Sequence, residues 1–316
     1  MPGKRAVTTP PLRIALVGFG KIAHDQHMPA IAENPDCTLA AVVDPSATED
    51  VGVPVFASLA DLLASDCVVD AVAICTPPQV RRTLAQEAIA AGKHVLLEKP
   101  PCAVLSEVAT LEEMAHESGV CLFAAWHSRF SAGVGPAKEW LAGREIRSVA
   151  IDWREDVRVW HPGQHWIWKA GGFGVFDPGI NALSIATEIL PRPLCVSGGL
   201  LQFPENCETP IAGSVTLEDS AGVPISLTLN FLQTGPQTWD ITVETDGGRL
   251  VLSEGGSVLT TPEGTHRAPD REYAAIYARF AEVVSAGRSE VDVAPLRLVA
   301  DAFMRCRFER VAPFHE

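Results

Sequence analysis

Residues 12–27, LRIALVGFGKIAHDQH, run an apolar, β-favouring segment straight into Gly18 and Gly20, with Ala23 three positions further on. A strand that is apolar at consecutive positions has no face to offer water, so RIALVG has to be covered on both sides. Four more runs share that character: LAAVVD (39–44), VVDAVAIC (68–75), HVLLEKP (94–100) and CLFAAW (121–126). Between them lie helical stretches such as VRRTLAQEAIAAGK (80–93) and LSEVATLEEMAHESG (105–119), each ending at a glycine suited to a C-cap. Strand and helix in this alternation predict an α/β fold, a doubly wound parallel sheet of Rossmann type over residues 12–128.

The texture changes beyond residue 128. SVAIDWREDVRVW (148–160), GSVTLEDSAGVPISLTLNFLQ (213–233), WDITVETDGGRLVLSEGG (239–256) and SVLTTPEGTH (257–266) alternate apolar and polar residues and carry hairpin turns. Residues 129–316 are therefore expected to form an α/β domain on an open, mostly antiparallel sheet. The helical stretches 177–190 and 271–287 are expected to pack with that sheet, and 295–310 to close the chain. Two domains suit a length of 316 residues.

A net charge of −14 opposes a protein whose affinity comes from neutralising phosphates, so nucleic acid is not an expected partner. No stretch approaches the roughly 18 apolar residues of a membrane span. Residues 1–11 read as a disordered leader rather than a signal peptide, because no apolar h-region follows the charged start. Eight scattered cysteines without a C-x-x-C pair suit a reducing cytoplasm. His24 and His27 are three apart, but no further ligands accompany them, and no metal site is expected.

The glycines gain meaning from their setting. They follow a strand and open a helix, and Asp44 ends the next strand 26 residues after Gly18. In that context the bare backbone of Gly18, Phe19, Gly20, Lys21 and Ile22 would approach a pyrophosphate at a helix N-terminus, while Asp44 binds ribose hydroxyls. Ala23 is the small residue permitted at the helix–strand contact. A carboxylate repels a 2′-phosphate, and DPSATED offers no Lys or Arg, so NAD is favoured. Ser46 and Thr48 would still be able to hydrogen-bond such a phosphate, which keeps NADP open.

GFGKIA, CTPPQV (75–80), LLEKPP (96–101) and GGFGVFDPGIN (171–181) occur in the order and spacing of the glucose-fructose oxidoreductase, inositol dehydrogenase and MocA family, which the chain resembles over roughly residues 12–310. The resemblance implies a sugar-directed oxidoreductase and adds Cys75, Thr76, Pro77, Glu98 and Lys99 to the cofactor-binding residues. Asp177 and Asn181 form an Asp-x-x-x-Asn ending, similar to that of the family's aldose 1-dehydrogenases, which oxidise D-galactose and L-arabinose to lactones. The commoner family pattern has His where this chain has Asn181, so no histidine base is expected there.

Oxidation at C1 removes a hydroxyl proton as hydride leaves. Lys99, matching the lysine of the family's E-K-P motif, would take that proton. Burial and the positive nicotinamide ring would favour its neutral amine. Asp177 matches the catalytic carboxylate and is the rival base or its partner. Asn181, one helical turn on, would orient a hydroxyl without accepting its proton. His127 and Glu155 match positions that hydrogen-bond sugar hydroxyls in the galactose and arabinose enzymes, and His161 in VWHPGQH is a further candidate on a loop. Six of seven tryptophans fall between residues 126 and 168. Trp166 and Trp168 show strand period, while Trp153, Trp160 and Trp239 are candidates to stack on a sugar's C–H face. Two alternatives are a dehydrogenase for a cyclitol or another sugar, and a non-catalytic regulator binding dinucleotide and sugar. A homodimer is expected from the apolar stretch ISLTLNFL (225–232).

Overall fold

The computed structural model describes residues 10–47 and 50–315; the expected leader up to residue 9, and Thr48, lie outside them. Six parallel strands form the first sheet: β1 (Leu12–Val17), β2 (Cys37–Val43), β3 (Val55–Phe56), β4 (Ala71–Ile74), β5 (His94–Glu98) and β6 (Leu122–Ala125), in the order β3-β2-β1-β4-β5-β6. The connections carry α1 (Met28–Glu33), α2 (Leu59–Ala64), α3 (Pro78–Ala90) and α4 (Leu105–Ser118). This is the doubly wound arrangement expected, and it brings the ends of β1, β4 and β5 to one edge, where ligands bind in such sheets.

The second half of the chain adds α5 (Val134–Leu141), β7 (Ile146–Arg154), α6 (Val157–Trp160), α7 (Phe176–Ile189), β8 (Leu194–Pro204), β9 (Ala212–Asp219), β10 (Pro224–Asn230), β11 (Thr238–Thr245), β12 (Gly248–Ser253), β13 (Val258–Thr261), β14 (Gly264–Arg267), α8 (Glu272–Ser285), α9 (Ala294–Arg305) and β15 (Arg307–Val311). Its strands make one nine-stranded sheet, β14-β13-β12-β11-β7-β10-β9-β8-β15. β7 with β10 and β8 with β15 run parallel, and the other pairs are antiparallel.

Four expectations need correction. The 271–287 helix, expected on the second sheet, lies on the first. Tyr273, Ile276, Tyr277, Phe280 and Val283 form a buried stripe on α8 that packs against Ile14, Leu16, Leu96 and Phe123. The alternate strand residues Ala15, Val17, Val95 and Leu97 face the opposite cluster, which contains Ala85, Ala88 and Leu111 of α3 and α4. α1 is only six residues long, so the other face takes its cover from α8.

The alternating run 148–160 stops at Arg154. Asp156 accepts from the Arg158 N–H (3.0 Å) and caps the short α6, which carries Trp160 to the cavity below. Trp166 and Trp168, read with strand period, sit on a 3₁₀ turn, His165–Trp168. The apolar half of ISLTLNFL is spent inside the molecule. Ile225, Leu227, Leu229 and Phe231 are buried in the chain's own core, the alternate Ser226, Thr228 and Asn230 are polar, and Leu232 is the one exposed apolar side chain of the stretch. All eight cysteines are free, and among the described residues no helix is long and apolar enough to cross a membrane.

Candidate active site

β1 ends in a turn that only glycine fits. Gly18 has φ 87°, and a Cβ there would stand 2.8 Å from Thr76 Cγ2 at the end of β4. Gly20, two residues on, has nothing within 4 Å of its Cβ position. The helix that follows opens with a π turn, Ala23–His27, before α1. Asp44, just past β2, accepts from the Phe19 N–H at Oδ2 (2.7 Å) and from the Ser46 N–H (2.8 Å) and hydroxyl (2.6 Å) at Oδ1. Burial pushes the Asp44 carboxyl up, but these donors outweigh it and hold it below its ordinary value. The Lys21 ammonium pairs with Asp25 on the surface. The Thr76 hydroxyl is buried with no hydrogen-bond partner among the described residues.

A crowded glycine, an open glycine at a helix start, a carboxylate one strand over and an orphaned hydroxyl fit a dinucleotide. Gly18, Phe19, Gly20, Lys21 and Ile22 would hold its pyrophosphate and Asp44 its ribose. Cys75, Thr76 and Pro77 would line the next strand end. Ser46 differs from expectation, because its hydroxyl is given to Asp44.

A buried guanidinium shapes the next turn. Arg81 donates through Nε to the Thr76 carbonyl (2.7 Å) and through Nη1 to the carbonyls of Glu98 (2.5 Å) and Pro100, tying the ends of β4 and β5 around Lys99. The Glu98 carboxylate is 3% exposed. Its Oε1 accepts from the Tyr273 hydroxyl (2.7 Å) and lies 3.1 Å from His27 Nε2, and its Oε2 accepts from the Lys99 N–H (2.9 Å). Expected as a cofactor contact, this carboxylate is committed to a network beneath the site. Burial opposes its charge, yet the His27 hydrogen bond and charge hold it below the ordinary carboxylate range.

Between the two sheets lies a cavity of about 310 Å³ that brings together Lys99, His127, Trp153, Glu155, His161, Asn181 and Trp239. Asp177 stands in the first turn of α7, buried, and Lys99 Nζ donates to its Oδ1 (3.0 Å) and its carbonyl (3.1 Å). α7 comes close to β10 because Gly179 has no side chain: a Cβ would meet Leu229 Cδ2 at 2.8 Å. Asp177 Oδ2 lies 3.7 Å from His161 Nδ1, His161 Nε2 lies 2.8 Å from Glu155 Oε1, and Glu155 Oε2 accepts from Trp239 Nε1 (2.8 Å). Burial pushes the His161 imidazole down, but the Glu155 hydrogen bond and the Asp177 charge win and hold it above its ordinary value. Trp239 stacks on Trp153 (6.1 Å between rings) and meets Trp160 at 4.6 Å. Glu155 is 2% exposed, with both oxygens engaged, so it fixes His161 and Trp239 in place.

The sequence reading missed Arg81, His27, Tyr273 and Glu272. The chain's only two tyrosines stand four apart on one helix, a local signal for a paired polar role within an apolar stripe. Nothing local marks Glu272, which lies 2.5 Å from His127 Nδ1 across 145 residues.

The geometry can be set beside known proteins. Residues 12–126 match the Gfo/Idh/MocA family, described as an oxidoreductase family with an NAD-binding Rossmann fold. A galactose 1-dehydrogenase of Pseudomonas fluorescens is 46% identical over 295 residues, covering 93% of this chain and 95% of that protein. A crystal structure of D-galactose-1-dehydrogenase from Rhizobium etli matches with a TM-score of 0.94 at 50% identity, over 98% of this chain and all of that one. A 3-ketoreductase from Actinomadura kijaniata, solved with NADP and TDP-benzene, shares the fold at a TM-score of 0.83 and 21% identity, over 95% of this chain and 99% of its own.

Proposed function

Because the chain belongs to the Gfo/Idh/MocA oxidoreductase family, we propose that it oxidises an aldose, D-galactose or L-arabinose, at C1 to the lactone, with NAD preferred over NADP. The observation that carries the reading is the Lys99–Asp177 pair, 3.0 Å apart, at the carboxyl end of the parallel sheet and at the wall of a tryptophan-lined cavity. The name of the Pseudomonas relative supports the aldose and the carbon. When bound, the dinucleotide supplies the hydride acceptor. Lys99 and Asp177 accept the hydroxyl proton between them, in a pocket where Arg81 and the α7 turn leave them little freedom. Asn181 orients a hydroxyl. Trp153, Trp160 and Trp239 face the sugar's C–H side, with Trp239 held by Glu155 and the other two packed on Trp239. His127 and His161 offer ring nitrogens to the remaining hydroxyls. The NAD preference is supported by Asp44, a carboxylate whose Ser46 donor is already spent on it.

The test is reduction of nicotinamide by D-galactose, L-arabinose, D-glucose and myo-inositol, each with NAD and NADP. Fast turnover of galactose and arabinose is expected. Lys99→Met and Asp177→Asn should each lower kcat by about 10²–10⁴-fold, the usual worth of a positioned acid or base, with dinucleotide binding retained in Asp177→Asn. Silence on every sugar with dinucleotide still bound would move the reading to a non-catalytic binder, and turnover of myo-inositol alone would move it to a cyclitol enzyme.

A further inference from the structure

We infer that Glu272, delivered by α8 from late in the chain, is a positioning residue that locks His127 in one tautomer and so makes this wall of the cavity an acceptor for a sugar hydroxyl; the inference rests on the aldose reading above. His127 Nδ1 stands 2.5 Å from Glu272 Oε2. An ionised carboxylate only accepts, so Nδ1 carries the hydrogen, and the lone pair of the neutral ring is left on Nε2. Among the described residues no group bonds that Nε2. Glu272 accepts from two sides, from His127 Nδ1 and from the Ser131 hydroxyl, as an ionised carboxylate does.

The ring is held from two directions. Its edge is tied to Glu272, and its face stacks on Tyr273 at 5.3 Å and 21°. Glu272 is itself braced, because Oε1 accepts from the Ser131 hydroxyl, which also lies 3.1 Å from the Gly255 carbonyl at the cavity's rim. His127 and Glu272 both line the cavity with Lys99, at side-chain exposures of 16% and 18%. Glu155, which also lines the cavity, already serves His161 and Trp239. A hydroxyl hydrogen directed at the α8 side therefore meets an acceptor whose direction Glu272 sets.

Two measurements test this. In ¹⁵N-histidine-labelled protein, with His127 assigned through H127A, the wild type should show the Nδ1–H tautomer. E272A should show a mixture, and E272Q, whose amide oxygen still accepts, should keep the wild-type form. In kinetics, E272A should raise KM for the aldose about tenfold, the scale of one hydrogen bond, with kcat within about threefold and KM for NAD unchanged. E272Q should recover most of that loss, and H127A/E272A should be no worse than H127A. If E272A unfolds, E272M, which keeps the side chain's length, carries the same expectations. Retention of the Nδ1–H form in E272A, multiplying penalties in the double variant, or E272Q as impaired as E272A would overturn the inference. The NMR arm needs no turnover: a locked His127 in a protein that oxidises no aldose defeats the aldose reading alone, and a tautomer mixture in an active wild type defeats the positioning role alone.

Discussion

His27 and Glu98 face each other at 3.1 Å under Lys99, both enclosed by α8 and the first sheet. Burial by itself would neutralise the imidazole; Cys75 and the Glu98 hydrogen bond and charge instead hold it up to about 10. A group that binds its proton more tightly folded than unfolded contributes fully below its unfolded value of 6.5, and the contribution is lost as pH climbs towards about 10. Glu98 has the opposite sign: its pKa is depressed, so its contribution is present above the unfolded value of 4.5 and fades as pH falls through the folded one. Replacing His27 by Gln should therefore flatten the fall of Tm with pH between about 6.5 and 10. Parallel melting curves for variant and wild type across that window would refute the pairing. In the sequence His27 is visible only as half of an incomplete metal pair, because its partner is 71 residues away.

At the scale of an element, the turn after β1 separates two uses of glycine. Gly18 is needed by the protein, since φ 87° and the 2.8 Å approach to Thr76 leave no room for a methyl. Gly20 is open, and its lack of a side chain matters only to whatever the turn receives. Gly18→Ala should cost about 1–3 kcal/mol of stability, the usual price of a strained backbone plus a close contact, and also weaken dinucleotide binding. Gly20→Ala should change stability by less than about 0.5 kcal/mol while still raising Kd for the dinucleotide. Equal losses of stability in both would show that the turn is structural throughout. This element was fully legible beforehand, because strand, turn and helix are contiguous and each part is set by local residues. The 271–287 helix was legible as a helix but not in its place, since an apolar stripe states that it is covered and not by what.

Across the whole molecule, α8 makes the second half of the chain a structural part of the first. Ile276, Tyr277, Phe280 and Val283 are fully buried against the parallel sheet. At about 1.5–3 kcal/mol for each such side chain, they contribute about 6–12 kcal/mol, comparable to the whole stability of a typical domain. A fragment of residues 10–128 should therefore show no cooperative melt, whereas the full chain should unfold in a single calorimetric transition. A sharp, reversible melt of the fragment would show that α8 is dispensable. The same docking places Glu272 and Tyr273, neighbours in sequence, at His127 and Glu98, so the helix that completes the first core also sets one wall of the cavity.

Local pattern determined the parallel sheet, the turn with Asp44 and the i, i+4 spacing of Asp177 and Asn181, while Lys99 and Asp177 were singled out by their resemblance to the family's motifs. Strand ends, a helix start and an i, i+4 spacing are short-range geometry that neighbouring residues settle among themselves. Tertiary structure decided the rest. Glu155 holds Trp239 across 84 residues, Tyr273 reaches Glu98 across 175, and Glu272 reaches His127 across 145. The partners of a buried polar group are set by how distant elements dock, and an amphipathic pattern records that a face is buried without recording what it meets.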